Sequence, residues 1–98
     1  MARLAEDEIT NRLAAVTRWT RTGDTITRTV QAPTFLAGIA IVSAIAQAAE
    51  EANHHPDIDI RWRNVTFALT THDAGDALTA RDFDLAERID AIAAEHGA

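Results

Sequence analysis

The chain has 98 residues, 47% of them apolar, and no cysteine. That length suits one small domain over residues 1–98, and the missing cysteines exclude disulfide staples and thiolate metal sites. A net charge of −6 with no basic stripe argues against direct nucleic-acid binding, and the N-terminus, with Glu6, Asp7 and Glu8, lacks the apolar core of a secretory signal.

The first segment, Glu6 to Thr17, places Ile9, Leu13 and Val16 at helical spacing among polar residues and predicts an amphipathic surface helix. A hairpin follows: Trp19 to Thr22 and Thr25 to Val30 are rich in threonine and β-branched residues, with Gly23-Asp24 as the turn. Ile26, Arg28 and Val30 share one face, and the arginine predicts that this face is only partly buried.

Pro33 ends the strand, and Thr34 caps a predicted helix to about Ala52. Its apolar residues, from Phe35 to Ile45, spread nearly all round. Such a helix needs cover on more than one side. One sheet covers only one, so the surplus face predicts a subunit interface. The most apolar stretch, Phe35 to Ala49, is interrupted by Ser43 and Gln47 and is too short for a membrane span. No membrane association is expected, and the absence of cysteine fits a reducing cytoplasm.

A second hairpin alternates Ile58, Ile60 and Trp62 with charged residues, then Val65, Phe67 and Leu69 with Thr66, Ala68 and Thr70. Period two means one packed face and one open face. Trp62 falls with Ile58 and Ile60 on the packed face, and Asn64 marks the turn. A last helix opens at Thr79 and runs to about Glu95 on a Leu85, Ile89 and Ile92 stripe. The expected fold is α+β, α-β-β-α-β-β-α: a four-stranded antiparallel sheet with helices packed on one face.

Three of the four histidines fall between His54 and His72. Imidazoles titrate near neutrality, so a cluster suits proton transfer or metal binding. In isolation each reads as an exposed loop or strand-end residue. The hairpin, however, brings the start of the third strand beside the end of the fourth, so His54, His55 and His72 share one end of the sheet. Glu50, one helical turn before His54, is placed to hold that ring. Asp82 has the capping-box position after Thr79. The helical H-E-x-x-H spacing of common zinc sites is absent, and no metal is expected.

In chain order, Glu50, three residues, His54-His55-Pro56, five residues, Trp62, nine residues, His72, nine residues and Asp82 form a spaced set. The pattern closely resembles the pterin-4a-carbinolamine dehydratase family (4a-hydroxytetrahydrobiopterin dehydratases). Thr70-Thr71-His72-Asp73 and Leu78-Thr79-Ala80-Arg81-Asp82 extend the likeness. Two departures stand out: Thr29, Val30 and Gln31 replace the aromatics frequent on the second strand, and Ala74-Gly75-Asp76-Ala77 replaces a paired-glycine turn.

The resemblance implies the same fold, and dehydration of a pterin carbinolamine in tetrahydrobiopterin recycling, without metal or cofactor. It implies His54, His55, His72 and Asp82 as the catalytic set, with His54 and His72 the acid–base pair and His55 orienting the pterin. Glu50, Asn53, Thr70, Thr71 and Asp73 join the histidines in binding. It also implies a homodimer or homotetramer, and an aromatic amino-acid hydroxylase as pathway partner. The alternative function is a non-catalytic dimerisation or assembly module of the same fold.

Overall fold

A computed structural model describes residues 2–98; Met1, at the head of the acidic N-terminal segment, lies outside them. The order is α1 (Glu6–Leu13), β1 (Thr20–Thr22), β2 (Thr25–Gln31), α2 (Phe35–Ala52), β3 (Asp57–Arg61), β4 (Asn64–Leu69), a 3-10 turn (His72–Ala74) and α3 (Ala80–Glu95). The strands form one antiparallel sheet in the order β1-β2-β4-β3. This is the expected α+β arrangement.

Period-two patterning sets the layers. Ile26 and Val30 of β2 and Val65, Phe67 and Leu69 of β4 are fully buried beneath the helices. Their alternates are more open, and Thr29 and Thr66 join hydroxyls across that face at 2.8 Å. Ile41 and Ile45 of α2 and Phe83 and Ile89 of α3 complete the core. Each such side chain contributes about 1.5–3 kcal/mol by leaving water. α2 is capped by Thr34, whose hydroxyl accepts from the Ala37 amide at 3.0 Å.

Several local expectations change. α1 ends at Leu13 rather than Thr17, although Val16 is still buried. Arg28 does not open its face to water: it is 6% exposed and pairs with Asp90 of α3, which also accepts from the Trp19 indole at 2.9 Å. A partner from a distant element makes that burial tolerable. Trp62 is not core. It is 70% exposed, because the strand ends at Arg61 and Trp62 forms the β3–β4 turn with φ 52°. Left-handed backbone costs a bulky residue about 1–3 kcal/mol. The Arg63 guanidinium lies 4.9 Å from its ring centroid. Asn64 consequently begins β4 instead of marking the turn. Ile60 is 41% exposed because β3 is an edge strand.

α2 presents Phe35 and Leu36 to solvent, with Ile39 and Val42 half-buried, so an apolar stripe is left outside the domain. At 18 residues and mean hydropathy 1.4, α2 is also long and apolar enough to cross a membrane by those two measures, contrary to the shorter stretch read from sequence. Its Ile41 and Ile45 face is nevertheless built into the core shared with the sheet and α3.

Candidate functional site

The end of α2 dictates where its two histidines go. Asn53 adopts left-handed backbone, φ 48°, which asparagine tolerates better than most residues. The His54 amide then donates back to the Ala49 carbonyl at 3.0 Å and closes the helix. After that reversal His54 turns inward and is buried, while His55 turns outward.

His54 Nε2 lies 2.6 Å from Asp82 Oδ1. The second oxygen, Oδ2, accepts from the Thr71 hydroxyl at 2.8 Å and from the Thr79 backbone N–H at 2.9 Å. Thr71, Thr79 and Asp82 have no solvent exposure. Each hydroxyl has one proton, so the chain runs one way. The Arg81 amide donates to Thr79 Oγ1 at 3.3 Å, Thr79 to Thr71 at 2.7 Å, and Thr71 to Asp82. With the carboxylate as acceptor, His54 Nε2 carries a proton, and Nδ1 is the nitrogen left free of it. Asp82 is thus both capping-box residue and histidine anchor. Capping and site support, separate readings of Asp82 from sequence, are one arrangement.

The other two histidines form exposed pairs. His55 Nε2 lies 2.6 Å from Glu50 Oε2, and His72 Nδ1 lies 2.6 Å from Asp76 Oδ1. Glu50 therefore holds His55, not His54 as expected from helical spacing. The left-handed Asn53 turns His54 away from the solvated side of α2, where Glu50 lies. His72 opens the 3-10 turn instead of ending a strand; Thr71 makes only an isolated bridge to Ala77. Its hydrogen bond to the Asp76 carboxylate, with the charges of Asp76, Asp57 and Asp82, raises the His72 pKa above its ordinary 6.5, against a smaller opposing desolvation.

The register gathers these groups at one end. Asp57 pairs with Ala68, so continuing the two strands sets His54–His55 beside Thr70–Thr71, next to His72. A cleft of about 250 Å³ opens there between α2 and α3, with His54, Arg81, Asp84, Leu85 and Arg88 among its lining residues. His55 and His72 lie outside that lining, on the solvent side. Thr70 Oγ1 is buried with no hydrogen-bond partner. Among the described residues, no three His, Asp or Glu side chains converge as a metal site does.

Two residues escaped the sequence reading. Asp76 holds His72, and its signal was i,i+4 spacing across what proves to be a turn. Arg81 donates to the carbonyls of Ala52 and Asn53, and lies near Asp73. Its signal was a cation in the first turn of a helix, where the dipole disfavours one.

A helix-covered antiparallel sheet with imidazoles and carboxylates gathered at one end places this chain among small α+β domains with a polar, histidine-bearing edge. The family described as pterin 4 alpha carbinolamine dehydratase matches residues 2–92. The chain belongs to that family. A protein of Nocardia farcinica named "Putative pterin-4-alpha-carbinolamine dehydratase" is 58% identical over 90 residues, covering 92% of this chain and 94% of that one. The crystal structure of a transcriptional coactivator/pterin dehydratase from Brucella melitensis superposes with a TM-score of 0.88 at 29% identity, over 93% of this chain and 98% of that one. A pterin dehydratase-like RuBisCO assembly factor of the alpha-carboxysome shares the fold, with a TM-score of 0.64 at 22% identity over 78% of this chain and 87% of that one.

Proposed function

We propose that this chain dehydrates the 4a-carbinolamine of a reduced pterin, of the 4a-hydroxytetrahydrobiopterin type, to the quinonoid dihydropterin and water. Family membership supports the substrate class. The observation that carries the chemistry is the contrast between a buried histidine with a fixed tautomer and an exposed histidine whose protonated form is favoured. Hydroxide is a poor leaving group. His72, as imidazolium, gives its proton to the departing oxygen as the C4a–O bond breaks. His54 takes a ring N–H proton, and the electrons of that bond form the new C=N. One proton is given and one received, so the pair ends with its total unchanged and one water leaves. His55, steadied by Glu50, orients the pterin, and Asn53, Thr70 and Asp73 border the bound ring. Thr71 and Asp82 act from within, by holding His54.

The same reading includes a cytoplasmic homo-oligomer serving a pterin-dependent aromatic amino-acid hydroxylase. The exposed Phe35 and Leu36 stripe on α2 supports self-association. That stripe also supports a second reading, a non-catalytic dimerisation or assembly module. A direct dehydration assay on a freshly generated carbinolamine separates the two. Rate enhancement that survives thorough chelation is expected. No enhancement over the spontaneous reaction leaves the assembly reading, and activity restored only by added zinc removes the metal-free mechanism.

A further inference from the structure

Arg81 belongs to neither the histidine pattern nor the proposed proton transfers, yet it touches both halves of the site. Its Nη2 donates to the Ala52 carbonyl at 3.2 Å and the Asn53 carbonyl at 2.8 Å. These are the last residue of α2 and its left-handed cap, immediately before His54 and His55. Its Nη1 lies 3.6 Å from Asp73 Oδ2, within the 3-10 turn that His72 opens. Its own amide donates to Thr79 at the start of the chain of hydroxyls leading to Asp82. One side chain therefore connects the segment carrying two histidines to the turn carrying the third.

Resting on the dehydratase reading, we propose that Arg81 is a positioning residue that sets the spacing between His54–His55 and His72. Helix physics does not place a cation here; the first turn of α3 disfavours it. The stronger half of the tie is the pair of carbonyl contacts, two direct hydrogen bonds from a side chain that is 24% exposed, against a 3.6 Å approach to an Asp73 side chain that is 74% exposed. The Asp73 contact is exposed and screened, and adds direction more than strength. A guanidinium fork reaches two carbonyls and a carboxylate at once, which a lysine ammonium on a single stem does poorly.

The test compares wild type, Arg81→Ala and Arg81→Lys by steady-state dehydration kinetics and by amide hydrogen exchange. In Arg81→Ala, kcat is expected to fall about ten- to a hundredfold, the scale of an ångström-size misplacement, with KM changing far less. Arg81→Lys should recover part of the loss. Exchange should quicken together at Asn53 and His54 and at Ala74 and Gly75, and stay unchanged in β1 and β2. A folded Arg81→Ala protein with kcat within about twofold of wild type overturns the proposal. Exchange that quickens in one segment alone, or in neither, also overturns it. If Arg81→Ala does not fold, Arg81→Lys is read by the same two criteria. Wild-type protein without activity defeats the dehydratase reading, and the exchange data still decide whether Arg81 couples the segments.

Discussion

His54–Asp82 and His72–Asp76 are the same chemical pair at the same 2.6 Å separation, and they differ in almost everything that distance does not measure. The first is buried, its carboxylate accepts from three groups, and its orientation is fixed by two secondary elements. The second stands in solvent within one turn, each side chain about 70% exposed. In the interior the pair is a structural commitment: removing one member strands the other. At the surface it is a bias on protonation, screened by salt. A proposed base benefits from rigidity and a fixed tautomer. A proposed acid benefits from a raised pKa and access to water for reprotonation.

The sharpest way to break that comparison is to remove both rings. His54→Ala with His72→Ala should lower kcat by at least about a hundredfold, because a positioned acid or base contributes about two to four orders of magnitude. His55→Ala should chiefly raise KM, as loss of a uniform binding contact does. A folded double mutant with wild-type kcat removes the acid–base assignment.

The next effect is on stability, and it separates the pairs cleanly. Asp82→Ala leaves His54, Thr71 and the Thr79 amide without their acceptor, and should cost about 3 kcal/mol or more. Asp76→Ala should cost far less than Asp82→Ala, as the loss of an exposed, screened pair does. Urea unfolding at one fixed protein concentration compares them, since self-association would otherwise shift both midpoints. Equal losses would mean that burial does not distinguish the pairs in solution.

How much of this was legible follows from the range of each interaction. Thr34 and Thr79 announced their helices because caps are local. The strand faces followed from period two, and the hairpin reading brought His54, His55 and His72 to one end of the sheet, where the structure has them. Signals failed where a partner came from elsewhere. Arg28 read as the mark of a face only partly buried because Asp90, 62 residues away, was invisible until α3 packed on the sheet. Trp62 continued an alternating pattern beyond the end of its strand, and no glycine flagged the turn. Glu50 had the correct spacing for His54, but one left-handed residue between them exchanged the two rings. Helical periodicity does not contain that rotation.

The smallest effect isolates the exposed pair. Asp76 raises the His72 pKa, so Asp76→Asn should return it toward the ordinary histidine value of 6.5. The sign for stability follows from linkage. A raised folded-state pKa contributes stability that is fully present below the unfolded value and lost as pH climbs through the folded value. Asp76→Asn should therefore lower stability most below 6.5 and progressively less as pH rises above it, narrowing the stability difference between acid and neutral pH. For catalysis, an acid must be protonated, so activity should fall as pH rises through the His72 pKa. In Asp76→Asn that fall should begin at lower pH, with the plateau below it little altered. Ring-proton NMR of His72 gives the titration directly, and the pH profile of kcat gives its consequence. If the NMR midpoint moves and the kinetic limb does not, the group titrating in catalysis is not His72, and its assignment as the acid fails.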